Sequence, residues 1–264
     1  MNLYIFELKS HIKSTIFWVI GMFFLLFSGM AKMQTFGKSG QSVHELFGQM
    51  PKIFKALFGI SDFDLSTAKG FFVLMFLYVL FLVAVHAVLL GSELLSKEER
   101  DKTNEFLLSK PISRTAIINS KLAAGLSLVV IYFLTTVLLC IWTVGYFNNA
   151  ESITGDIIYL SLGLLLTQIV FFGIGLFIGA MSHKPSQSNQ IGIAAVLISY
   201  FIFVSYSLAP NFAWLKYISC FNLFDANTIL KNGYQAISVL IAAFVTIICV
   251  FFAYRAYNKR EQSF

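Results

Sequence analysis

Six long apolar runs leave this chain few folds to choose from. They lie at 15–33, 71–91, 122–147, 157–181, 191–208 and 236–257. Each meets the roughly 20 residues needed to cross the hydrocarbon layer of a bilayer. Backbone groups inside lipid must bond within their own segment, so every run is expected to be a helix. Composition agrees, with 58% hydrophobic and 12% charged residues, against about 45–50% and about 25% in a soluble domain. The first run is too long for the apolar core of a signal peptide, and no small-residue cleavage pattern follows it, so a retained span is expected. The 264 residues then form one domain, 1–264, with six transmembrane helices and a charged loop at 92–121. The fold class is an all-α membrane protein.

Lys and Arg set the orientation, because they collect in the segments that stay inside. With both termini inside, twelve of the 19 basic residues fall on the inner side. Among them are Lys9, Lys13, Lys97, Arg100, Lys121, Lys184 and Arg255. Most of the outer seven sit in one long loop, which counts for less. The net charge of +6 is thus explained by topology, and no nucleic-acid partner is expected. A multi-pass protein of the plasma membrane, both termini cytoplasmic, is the expectation.

Two outer segments have patterns of their own. In 42–59, Val43, Leu46, Phe47, Met50, Ile53, Phe54, Leu57 and Phe58 fall on one helical face. Pro51 divides that segment into two short amphipathic helices, since proline cannot donate to the preceding turn. In 211–232, the aromatic residues Phe212, Trp214, Tyr217, Phe221 and Phe224 suit the headgroup level.

The loop at 92–121 is the most charged stretch. Ser96 and Glu99 have the spacing of a capping box, which predicts a helix beginning there. Pro111 would interrupt it, and Ser113 would cap the helix that follows. A short helix carrying Phe106, Leu107 and Leu108 among charges has two uses. It can lie on the anionic inner leaflet, or it can dock into another protein.

The ordered residues Glu98, Glu99, Thr103, Glu105, Leu107, Leu108, Pro111, Ile112, Ser113 and Arg114, closing with Lys121, resemble the permease subunits of ATP-binding-cassette transporters of the type-2 exporter class. The family pattern is approximately E-E-x-x-G-T-x-E-x-L-L-x-x-P-[IV]-S-R, then a Lys at the head of the third span. The departure is Lys102, where the family usually has Gly. The outer stretch 50–59 and Gly70 also look like this family, so the resemblance covers almost the whole chain.

The resemblance implies a cytoplasmic coupling helix between spans 2 and 3 that sits in a groove of a separate ATPase subunit. Glu98, Glu99, Thr103, Glu105, Leu107, Leu108, Pro111 and Arg114 would be the contact region, with segment 1–14 adding a second contact from an interfacial helix. It further implies two ATPase copies, a second permease chain, most simply an identical one, and a prokaryotic source. ATP and Mg would be bound by the partner, with no cofactor on this chain. The expected function is the transmembrane half of an ATP-driven exporter, for an amphipathic peptide or a hydrophobic compound. An ATP-independent secondary transporter or channel is the alternative.

Catalytic motifs are missing from the sequence. No G-x-x-x-x-G-K-[ST] run occurs to cradle phosphates, and no H-E-x-x-H or G-x-S-x-G. No catalytic residue and no metal site is expected, and Cys140, Cys220 and Cys249 show no ligand spacing. Asp62 and Asp64 could bind a divalent cation or cap helix 2. Within the spans the polar residues of interest are His86 and Gln168, which either line a translocation path or bond to a neighbouring helix. Gly175 and Gly179 form a small-xxx-small pair, suited to close packing within the chain or between subunits.

Overall fold

The computed structural model describes residues 3–38, 50–60, 63–65, 67–100, 113–148, 152–182, 185–209, 211–212 and 214–259, with the backbone alone at 34–38, 98–100 and 185. Among them are ten helices and no strand. The six long ones are α1 (Leu3–Lys38), α3 (Ala68–Arg100), α4 (Arg114–Phe147), α5 (Thr154–Met181), α6 (Pro185–Leu208) and α10 (Ala236–Lys259). All six are long and apolar enough to cross a membrane. The short ones are α2 (Lys52–Phe58), α7 (Leu215–Ile218), α8 (Cys220–Leu223) and α9 (Ala226–Asn232).

The long helices alternate in direction. One end of the bundle carries the start of α1, the end of α3, the start of α4 and the end of α10, and is called here the termini end. The far end carries α2, the end of α4, the start of α5 and α7–α9.

α3 is the centre of the bundle. It packs against α5, α6, α1 and α4, and most extensively against α5. Glycine makes that crossing possible. A Cβ on Gly175 would overlap the Val88 carbonyl oxygen, one on Gly179 the Ser92 carbonyl, and one on Gly91 the Phe172 carbonyl. Small residues let two backbones meet at this range. The glycine pair of α5 therefore serves packing within the chain. α10 and α6 cover the other sides of α5 and α3 and keep an apolar face outward, with Leu240, Phe244, Ile247 and Phe251 exposed on α10. Lipid is the solvent such a face requires.

α1 and α4 pair along their length. Towards the far end an aromatic group joins them, with Phe27 edge-on to Phe147 at 5.1 Å and Phe23 beside Trp142 at 6.0 Å. Lys69 and Asp156 form an ion pair of 2.8 Å at the far end, between α3 and α5.

Two local expectations are corrected. Ser96 does not begin a helix: α3 runs through it without a break, and its hydroxyl donates to the Ser92 carbonyl one turn back, at 2.7 Å. Buried Leu90, Leu94 and Leu95 hold this turn to the bundle, so the helix continues past the apolar run. Thr67 caps the start of α3, its Oγ1 accepting from the Gly70 amide at 3.0 Å, and Asp62 lies outside the described residues. Segment 1–14 is not a separate interfacial helix where it is described, because residues 3–38 form one continuous helix. Ser113 caps α4 as expected, its Oγ accepting from the Ala116 amide at 3.3 Å. Pro51 precedes α2, and the first of the two short helices expected in 42–59 falls mostly outside the described residues.

Candidate functional site

The flanks of the charged loop are the ends of α3 and α4, and the structure joins them through side chains that sequence reading did not bring together. Lys121, on the second turn of α4, is fully buried. Its ammonium donates to Glu7 Oε1 of α1 at 3.0 Å and to the Leu94 carbonyl of α3 at 2.6 Å. One cation thus clips three helices. Taking an ammonium and a carboxylate out of water costs several kcal/mol per ion, and close geometry with added hydrogen bonds is what offsets it.

The same cluster extends to a fourth helix. His11, one turn after Glu7, is 4% exposed. Its Nε2 lies 3.7 Å from Glu7 Oε2 and its Nδ1 3.9 Å from Glu93 Oε2. Glu93 Oε1 accepts from Asn189 Nδ2 of α6 at 3.1 Å, and Asn189 Oδ1 accepts from Ser92 at 2.7 Å. Lys97 reaches back to Ser10 and lies over the Phe6 ring. Two carboxylates, an ammonium, an imidazole and an amide therefore hold α1, α3, α4 and α6 at the termini end.

Of the expected contact residues, Arg114 is the one with a described side chain. It opens α4, and its Nη1 donates to the Asn258 carbonyl near the end of α10, at 3.1 Å. A cation there suits the unpaired carbonyls of a helix C-terminus. Tyr254 and Asn119 add a second contact between α10 and α4. Glu98 and Glu99 stand on the last turn of α3, with side chains outside the description. Thr103, Glu105, Leu107, Leu108 and Pro111 lie outside the described residues.

His86 and Gln168 are both buried. His86 sits between Trp18, edge-on at 5.8 Å, and Tyr132 at 4.0 Å. Neither His86 Nδ1 nor either amide atom of Gln168 has a hydrogen-bond partner among the described residues, and the same holds for the Tyr132 hydroxyl and Thr136 Oγ1. The bundle core therefore carries polar groups that its described side chains do not satisfy.

Glu7, His11 and Asn189 were missed because their partners lie on other helices. One sequence signal existed: Glu7, His11 and Thr15 recur at the helical spacing of four, which puts them on one face if the first helix begins near residue 3. No group of three metal-ligating side chains is found among the described residues.

A family model described as ABC-2 family transporter protein matches residues 1–262. No curated protein matches the chain. Six membrane-crossing helices and a match over almost the full length agree, and the chain belongs to the ABC-2 transporter family, as the membrane-spanning subunit of such a transporter rather than an enzyme.

Proposed function

We propose that this chain forms half the pathway of an ATP-driven exporter, pairs with a second permease chain, most simply a copy of itself, and is driven by two separate ATP-binding-cassette ATPase subunits. The ATPases would carry ATP and Mg, and the segment between α3 and α4 would be the docking element, with Glu98, Glu99, Thr103, Glu105, Leu107, Leu108, Pro111 and Arg114 as its contacts. On this reading the termini end faces the cytoplasm of a prokaryotic cell.

The observation that supports it is the joint beneath the docking segment. Lys121 ties the start of α4 to the end of α3 and to α1, and Glu93 ties α3 to α6 through Asn189. A push on the segment would therefore reach four of the six spans at once. The spans carry almost no ionisable groups in mid-membrane, which suits an amphipathic peptide or a hydrophobic compound better than an ion-coupled cargo.

The test is affinity purification in mild detergent with an ATPase assay. Wild type is compared with a variant carrying Glu99→Ala, Leu107→Asp and Arg114→Ala. The reading expects an ATP-binding-cassette subunit to accompany wild type and to be lost from the variant. Transport into vesicles that proceeds without any ATPase would overturn it.

A further inference from the structure

At the far end, away from the ionic joint, α2 lies across the bundle and is pinned there. Tyr200 of α6 donates its hydroxyl to the Leu57 carbonyl, and Tyr78 of α3 donates to the Phe58 carbonyl at 3.4 Å. Gly59 then ends α2 in the left-handed region, at φ 66°, which glycine adopts without strain. Between α2, the end of α6 and the α7–α9 segment this leaves a cavity of about 490 Å³, within the size range of small-molecule sites.

Three ammonium groups line it: Lys52 and Lys55 of α2 and Lys216 of α7. Lys216 donates to the neutral Gln235 side chain at 3.1 Å. Among the described residues no carboxylate lies within ion-pair distance of Lys52 or Lys216. The one acid among the described lining residues, Asp225, is already engaged, its Oδ2 accepting from the amide and hydroxyl of Thr228 at 3.0 Å each. Burial moreover pushes its carboxyl above the usual range, against the pull of those bonds.

Two of the lining amides have a buried atom unmet among the described residues. Asn222 is 4% exposed, and its Nδ2 has no partner among the described residues. An unmade bond at a buried donor carries the full desolvation penalty, so such a group points to a ligand that accepts from it. Asn227 presents the opposite need, a buried Oδ1 without a donor among the described residues.

We infer that this cavity is a binding site for a phosphate ester that carries a hydroxyl, with Lys52, Lys55 and Lys216 around the anion, Asn222 donating to it and Asn227 accepting from the hydroxyl. Lysine is a point-charge phosphate binder and needs no fixed fork geometry. A phosphoglycerol lipid headgroup and a free sugar or glycerol phosphate share this chemistry. The assignment depends on neither ATPase coupling nor transport, so it stands or falls apart from the exporter reading.

The experiment uses the full-length protein in detergent and glycerol 3-phosphate as probe, read by isothermal titration calorimetry at low salt. Wild type is expected to show saturable binding. A Lys52→Gln/Lys216→Gln variant and, separately, Asn222→Leu are each expected to weaken it about tenfold or more, the scale of a lost hydrogen bond to a charged group. Lys52 is exposed, so the lysine variant tests the site even if Asn222→Leu fails to fold. In a second arm, protein is released from nanodiscs of equal phosphatidylglycerol and phosphatidylcholine and its bound lipid is identified by native mass spectrometry. Phosphatidylglycerol retained by wild type and lost by the lysine variant assigns the site to a lipid headgroup. Soluble binding without that enrichment assigns it to a free ester. No binding in either arm, equal binding by wild type and the lysine variant, or competition by uncharged glycerol would overturn the inference.

Discussion

The Lys121 ammonium sits 3.0 Å from the Glu7 carboxylate although the residues are 114 positions apart, and neither side chain reaches solvent. A buried pair of this kind is expensive to break and cheap to replace. Lys121→Met leaves the Glu7 carboxylate buried without its cation, and Glu7→Leu leaves the ammonium likewise. Each is expected to destabilise by about 3–5 kcal/mol, whereas the double variant recovers most of that loss. Thermal unfolding in detergent reads both, and single variants as stable as wild type would remove the joint from the account.

The α3–α5 crossing depends on glycine at the contact. Gly175→Leu is expected to separate the helices and cost at least about 1–3 kcal/mol, because the added atoms meet backbone rather than a flexible side chain. Gly21, where a Cβ would meet open space, supplies the control: Gly21→Ala is expected to leave the melting temperature unchanged. Size-exclusion profiles and melting curves separate the two outcomes.

Tyr234 joins the far end of α5 to the segment before α10. Its hydroxyl donates to the Tyr159 carbonyl at 2.8 Å and accepts from the Gly163 amide at 2.8 Å. Burial pushes this phenol from its ordinary 10 up to about 12. The folded state thus holds the proton more tightly than the unfolded chain does. Its contribution to stability is complete below pH 10 and is lost as the pH rises towards 12. Tyr234→Phe is expected to lower stability by about 1–2 kcal/mol at neutral pH and to flatten this alkaline loss. A variant that melts at higher pH just as wild type does would show that another group is responsible.

Gln168 is fully buried with both amide atoms unpaired among the described residues. Replacing it with the similarly shaped Met removes a desolvation penalty on the scale of about 1–3 kcal/mol. Gln168→Met is expected to fold as well as wild type or better. If the amide serves the pathway, transport falls while stability holds. A marked loss of stability would instead place a bonded partner or an ordered water beside Gln168.

Much of the architecture was legible in the residues. Apolar runs of the right length give six spans, because a bilayer offers the backbone no other way to bond, and the pattern around Arg114 and Lys121 pointed to the family from sequence alone. The Ser113 cap was readable because it acts within four residues. Local signals misled where tertiary contacts outweighed them. Ser96 reads as a cap, yet it lies inside α3 because Leu94 and Leu95 are buried against neighbouring helices. His86 and Gln168 were visible as polar residues in apolar runs, but only their surroundings show that no described side chain satisfies them. The spacing of Glu7 and His11 hinted at one shared face, but the joint they make with Lys121 and Glu93, and the lysine-lined cavity, could not be assembled from the sequence. Each is assembled from helices far apart in the chain, and which faces meet is settled by packing, through the glycine contacts that set α3 against α5, and not by any local pattern.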